Sequence, residues 1–281
     1  MDALDDTRLL PGVGADATLL FVHAHPDDET LVTGATMAAY ARLGARVVLL
    51  TCTRGELGEV IPAELGHLEV GKSPDADGAG LAAERERELD RALAALGVTE
   101  HCFLGQGFAG QGSAGPGRVF RDSGMQWGPD GRAMAADVVL EGSLSRVPLD
   151  ETATLAAGAI RAVRPDAVVT YAADGGYGHP DHVRTHQLVI RALALAVHGD
   201  GDVPGWPVPA VFTIVSDRPE RPLDDSVERI AVHGDGAAKK AAMRAHRTQI
   251  TVAGDRYALS DDVWKDISGV EEFVRLEGPR P

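Results

Sequence analysis

FVHAHPDDET, residues 21–30, places two histidines, two aspartates and a glutamate directly after an apolar run. DGGYGHPDH, residues 174–182, repeats the arrangement in mid-chain with Tyr177, His179, Asp181 and His182. Both are His-Pro-Asp steps between an apolar stretch and a helical pattern. Proline fixes its own φ and pushes the preceding residue into extended geometry, so the carboxylates that follow face across the strand ends. Gly175, Gly176 and Gly178 let the backbone approach a ligand closely.

The chain has only two cysteines, Cys52 and Cys102, and no Cys/His cluster. Any metal must therefore be held by histidine and carboxylate, donors that suit zinc and ferrous iron alike. A hydrolytic zinc wants three protein ligands and an open position for water. His25, Asp28 and His182 could supply that set. Asp27 would then remain beside the metal to take a proton from water, because adjacent residues diverge in direction. Two other readings stay open at this point. The Asp27-Asp28-Glu29 run could simply complement a helix dipole, and His182 with His186, four apart on one helix face, could be a ligand pair or idle. Two His-Pro-Asp strand ends in one chain favour a metal site over coincidence.

The elements that must position these groups alternate. Strands are predicted at 17–23, 45–52, 100–105, 166–171 and 211–216, and helices at 31–44, 83–97, 149–165, 181–197 and 236–249. Such alternation predicts an α/β fold, a mainly parallel sheet with helices on both faces. Ligands in such sheets gather beyond the carboxyl ends of the strands, where both His-Pro-Asp steps fall. Residues 53–80 and 105–146 are rich in Gly, Pro, Asp and Ser and read as long loops that shape a pocket. With no repeat or composition break, the expectation is one domain over residues 1–281.

Composition narrows the field. A net charge of −15 over 281 residues lacks the basic footprint that nucleic acid demands. No stretch approaches the ~20 consecutive apolar residues of a membrane span. The acidic N-terminus shows no signal-peptide pattern, and the expected location is the cytoplasm. GQGFAG (105–110) fits a dinucleotide fingerprint in form, but it runs into QGSAGPG and no helix follows to receive a pyrophosphate. PGVGAD (11–16) precedes its strand. No GxSxG elbow occurs, and Ser123 has no evident base nearby in sequence. Cysteines inside strands disfavour an exposed thiolate.

AHPDDE and GHPDH resemble the paired signatures of the PIG-L (LmbE-like) family of zinc-dependent N-deacetylases, which act on N-acetylglucosaminyl compounds. The resemblance implies a Rossmann-like fold with one Zn2+, or Fe2+ in the cell, on His25, Asp28 and His182. It implies Asp27 as general base, His179 as general acid or electrostatic stabiliser oriented by Asp181, and Tyr177 as a stabiliser of the oxyanion. GELGEV, RERELDRALAALG, FRDSGM and RAHRTQ, scattered over most of the chain, are similar to the branch acting in mycothiol biosynthesis on GlcNAc-inositol. By that carry-over Arg85, Asp122 and Glu59 contact sugar and inositol hydroxyls and Met125 lines the pocket. Each has a plainer reading: surface ion pairing for Arg85, a turn for Asp122, a solvated loop charge for Glu59. A mycothiol S-conjugate amidase, or a deacetylase of another N-acyl amino sugar, is the alternative within the family. A sugar-binding protein without hydrolysis fits poorly while every candidate catalytic residue is present.

Overall fold

The computed structural model describes residues 9–72, 77–107 and 117–276. The chain begins with β1 (Thr18–His23), α1 (Asp28–Leu43) and β2 (Arg46–Thr51), then passes through α2 (Ala79–Leu96) to β3 (Glu100–Phe103). A short hairpin follows, β4 (Met125–Trp127) and β5 (Ala133–Ala135). Next come α3 (Leu149–Val163), β6 (Ala167–Tyr171), the single turn α4 (Gly175–Gly178), α5 (Pro180–Ala196) and β7 (Ala210–Ile214). β8 (Ile230–His233) and α6 (Gly236–Met243) precede a small antiparallel sheet of β9 (Thr251–Ala253), β10 (Arg256–Ala258) and β11 (Lys265–Asp266). β12 (Val270–Arg275) ends the described chain.

The main sheet has the order β3-β2-β1-β6-β7-β12-β8. β3, β2, β1, β6 and β7 are parallel, and β12 runs antiparallel to both its neighbours. The mainly parallel, helix-covered sheet read from the sequence is thus present. Strand side chains alternate between two cores. Leu19, Phe21, Val47 and Leu49 pack with Met37 and Tyr40 of α1 and Leu89, Leu93 and Leu96 of α2. Leu20, Val22, Val48 and Leu50 pack with Ala156 and Ile160 of α3 and Leu188 and Val189 of α5. Burial on both faces is why the strands read as continuous apolar runs. From β1 the chain winds one way to β2 and β3, then returns to the other side at β6. The two carboxyl ends at that reversal carry the two His-Pro-Asp steps, the place where such a sheet opens a crevice.

Several boundaries differ from expectation, each for a local reason. α1 starts at Asp28 instead of residue 31, because the Asp27 carbonyl accepts from Thr30 N (3.0 Å) and Leu31 N (2.9 Å). The helix expected over 236–249 stops at Met243, and residues 246–250 form a turn in which the His246 carbonyl accepts from Gln249 N and Ile250 N. The long loops hold a 3-10 turn (Ala63–Leu68) and the β4–β5 hairpin. Of GQGFAG, residues 108–110 lie outside the described residues. No helix among the described residues is long and apolar enough to cross a membrane.

The antiparallel edge is tied to the parallel core by one buried carboxylate. Glu271 of β12 accepts from the backbone N–H groups of Ala35 (3.0 Å) and Thr36 (2.8 Å) and pairs with Lys239 at 2.8 Å. Removing one partner of a buried pair strands the other, at about 3–5 kcal/mol. Glu271→Ala is accordingly expected to lower unfolding free energy by about that amount, measured by urea denaturation.

Candidate metal centre and its cleft

Each histidine of the centre is held by a different part of the fold. His182, on the first turn of α5, donates from Nδ1 to the Gly175 carbonyl at 3.2 Å and stacks on Tyr171 with centroids 4.2 Å apart. That hydrogen bond leaves the Nε2 lone pair facing inward, and Nε2 is buried without a hydrogen-bond partner. Such orientation through the far nitrogen is how a metal-ligating imidazole is fixed. Asp28, on the first turn of α1, sits between two rings. Its Oδ1 lies 3.3 Å from His182 Nε2, and its Oδ2 lies 3.3 Å from His25 Nδ1 while accepting from the His25 backbone N–H at 2.9 Å. His25 Nε2 faces Asp181 Oδ2 at 3.2 Å and Asp122 Oδ1 at 3.8 Å.

His179 completes a cluster with His25 and His182 whose ring nitrogens lie within 4.8 Å of one another; His25, Asp122 and Asp181 form a second such group. A buried lone pair, clustered imidazoles and carboxylates closing around one ring fit a divalent cation, which is the charge the cluster lacks. The ring nitrogens of His25, His179 and His182 meet within one such group, while Asp28 stands against His25 and His182 at 3.3 Å each and belongs to neither group. His186 is elsewhere: its Nδ1 donates to the Tyr171 carbonyl at 2.8 Å, outside both groups.

The electrostatics follow from burial set against partners. Burial alone would lower the His25 imidazole, but Asp122, Asp181 and Asp28 hold it well above its ordinary range. Burial would raise Asp28, but His182 and His25 hold it well below. Asp27 has less help. Burial lifts its carboxyl to about 6 against the opposing pull of Arg85, with Asp28 adding repulsion. Arg85 Nη2 is 3.1 Å from Asp27 Oδ1. His179 is pushed far below its usual range by burial and by the facing His25 and His182. Its Nδ1 accepts from the Asp181 backbone N–H at 3.1 Å, so the ring proton sits on Nε2. Burial and the aspartates around it keep Tyr177 protonated.

The expected roles meet the geometry unevenly. The Asp181 carboxylate is turned to His25 and to the Ser123 backbone N–H (2.9 Å) and hydroxyl; it reaches His179 only through its own backbone. Ser123 is fully buried and meets no histidine, so it offers no nucleophile. Both thiols are buried and pushed up to about 12 by that burial. Arg85 is buried; its guanidinium donates to the carbonyls of Gly55 (2.6 Å) and Pro26. Asp122 accepts from Gly124 N (2.8 Å) and Leu57 N (3.3 Å), joining two loops. Glu59 is exposed on the rim, and Met125 and Tyr177 stand in the wall.

His25, Asp27, Asp28, Glu59, Arg85, Asp122, Met125, Tyr177, His179 and His182 line one cleft of about 660 Å³, a volume suited to a disaccharide-sized ligand, whereas Asp181, Ser123 and both cysteines do not. Its far wall was not foreseen: Trp127, Arg218, Lys239, Gln249, Tyr257 and Lys265. Trp127 is half exposed, with the Arg218 guanidinium over its ring at 5.3 Å and Tyr177 5.9 Å away. A tryptophan beside glycine and proline in a predicted loop was the one signal in the sequence for this wall.

Comparison with known proteins adds an independent line. A family model described as PIG-L, GlcNAc-PI de-N-acetylase, matches residues 20–193. A 1D-myo-inositol 2-acetamido-2-deoxy-alpha-D-glucopyranoside deacetylase from Kineococcus radiotolerans is 46% identical over 267 residues, covering 83% of this chain and 69% of the relative. The protein of the same description from Thermobifida fusca is 42% identical over 295 residues, covering 95% of each. The structure of N,N'-diacetylchitobiose deacetylase from Pyrococcus horikoshii is similar over 83% of this chain and 70% of that one, with a TM-score of 0.56 at 19% identity, a likeness of fold.

The geometry carries its own test. Losing even an outer partner of a metal ligand costs about 10–100-fold in affinity. Asp28→Ala and His182→Ala are expected to cut Zn2+ retained after dialysis by at least about tenfold, read by metal analysis.

Proposed function

The chain belongs to the PIG-L family, and from that membership and the centre described above we propose that it removes the acetyl group from N-acetylglucosaminyl-inositol, giving glucosaminyl-inositol and acetate. The observation that carries the reading is the divergence of two adjacent aspartates at one strand end. Asp28 turns between His25 and His182, while Asp27 turns to Arg85 in the same cleft. One carboxylate is therefore available as a ligand and its neighbour as a base. We read the chain as one domain over residues 1–281, acting in the cytoplasm on a small-molecule substrate.

His25, Asp28 and His182 would hold the cation, zinc in this reading. When bound, it supplies Lewis acidity toward a carbonyl and lowers the pKa of water toward about 7. The rest falls to the chain itself. Asp27 takes the proton of the attacking water. His179, whose proton is on Nε2, and the Tyr177 hydroxyl donate hydrogen bonds where negative charge grows on the acetamide oxygen. A doubly protonated His179 would lose the acceptor that the Asp181 backbone N–H uses, so the proton for the leaving amine comes from Asp27, which has just gained one. Asp122 and Glu59, which line the cleft, would contact sugar hydroxyls, with Met125 and Trp127 flanking them.

The decisive assay is amine release from GlcNAc-inositol beside a mycothiol S-conjugate, with and without chelator and added zinc. Metal-dependent release that favours GlcNAc-inositol is expected; preference for the conjugate would move the protein to the amidase branch. Asp27→Asn is expected to lower kcat by about 10²–10⁴-fold, the usual worth of a positioned base. Trp127→Ala is expected to raise KM by about 2–10-fold with kcat nearly unchanged, as one lost aromatic contact implies.

A further inference from the structure

Two buried ionisable groups beside the centre have no part in the chemistry just described. Glu29 and His246 are both fully buried, and they meet at 2.7 Å between Glu29 Oε1 and His246 Nε2. The same Oε1 accepts the Thr30 hydroxyl at 2.6 Å. Oε2 accepts the backbone N–H of Asp27 at 2.9 Å. His246 Nδ1 is buried without a hydrogen-bond partner, so Glu29 is what holds the ring.

Asp27 is where that bond matters. Its backbone stands at φ 113°, ψ −33°, a region that residues with a Cβ enter only when their surroundings impose it. It precedes α1, yet its side chain makes no capping bond to the helix. The carboxylate goes instead to Arg85, and the exposed edge of the turn is held from behind by Glu29. Were that N–H released, relaxation to an ordinary β or α conformation would swing the Asp27 carboxylate away from the cleft. His246 in turn belongs to the turn after α6, which also bonds Thr248 N to Glu88 (2.8 Å) and sets Gln249 in the cleft wall.

We propose that Glu29 and His246 are a positioning pair for the base: Glu29 holds the Asp27 backbone in its constrained conformation, and His246 fixes the Glu29 carboxylate. The inference rests on Asp27 being the base. It is tested by kcat and KM on GlcNAc-inositol for Glu29→Leu, which removes the acceptor for the Asp27 N–H, and for His246→Leu and His246→Gln, each alone and combined with Asp27→Asn. Zinc content of every variant is measured as well. A displaced catalytic group costs on the order of 100-fold. Glu29→Leu and His246→Leu are expected to lower kcat by about 10–100-fold with KM and zinc content nearly unchanged. His246→Gln, which keeps a donor toward Glu29, is expected to recover most of that loss. In the Asp27→Asn background neither substitution should lower the residual rate further. Equal proportional losses in both backgrounds, lost zinc, a raised KM with intact kcat, or no loss at all would each overturn the proposal. Wild-type kcat in Asp27→Asn alone would instead overturn the assignment of the base beneath it.

Discussion

The structure depends on a single constraint: negative charge is packed at strand ends where water cannot solvate it. Asp28, Glu29, Asp122 and Asp181 are each less than a tenth exposed. A buried ion without partners costs several kcal/mol, so each of these must be answered locally. Asp28 is answered by two imidazoles and a backbone N–H, Glu29 by His246, Thr30 and the Asp27 N–H, Asp122 by two backbone N–H groups, and Asp181 by Ser123 and His25. Asp27 has Arg85 alone for its carboxylate. Burial therefore lifts Asp27 to about 6 while His182 and His25 hold Asp28 low. Basicity thus collects on the carboxylate with fewest partners, so two adjacent aspartates are held in opposite electrostatic states across one peptide bond.

Arg85 imposes a second demand. Its guanidinium lies so close to the loop after β2 that a Cβ at Gly55 would stand 2.2 Å from Nη1, and one at Gly58 2.9 Å. Gly55 also has φ +63°, which other residues adopt with strain. The glycines of GELGEV and the arginine of RERELD are therefore one contact seen twice along the chain. FRDSGM joins them through Asp122, which accepts from Leu57 of that loop, and RAHRTQ through Gln249, which donates to the Glu59 carbonyl at 3.0 Å. Motifs that look scattered in sequence converge on the segment bearing Asp27.

This convergence decides how much could be read in advance. The parallel core was legible because strands buried on both faces are apolar throughout and α2, α3 and α5 between them carry a 3.6-residue stripe, while α1 is buried around most of its circumference. The meeting of the two His-Pro-Asp steps was legible because Pro26 and Pro180 mark two strand ends by local rules. The edge strand β8, its antiparallel partner β12 and the sheet β9–β11 were not, since the identity of each comes from what it pairs with. Asp181 shows the finer limit: spacing placed it beside His179, but only the fold shows its carboxylate turned to His25 and Ser123. The left-handed backbone of Asp27 had no signal either, because aspartate, unlike glycine, does not announce it.

Chemistry and recognition are thus written at different ranges along this chain. The clustered histidines and aspartates sit on two strand-end turns whose shape follows from a few adjacent residues. The wall that a substrate's second ring would meet is assembled from the hairpin after β3, the segment after β7, α6 and the β10–β11 region. None of these touches the protons directly, so each can vary while the centre stays constant. The two halves are nevertheless not independent. His246 lies on the turn that supplies Gln249 to the wall, and through Glu29 it reaches the backbone of Asp27. A change in the wall that displaces this turn therefore reaches Asp27 within two hydrogen bonds, which confines free variation to the parts of the wall that do not brace it.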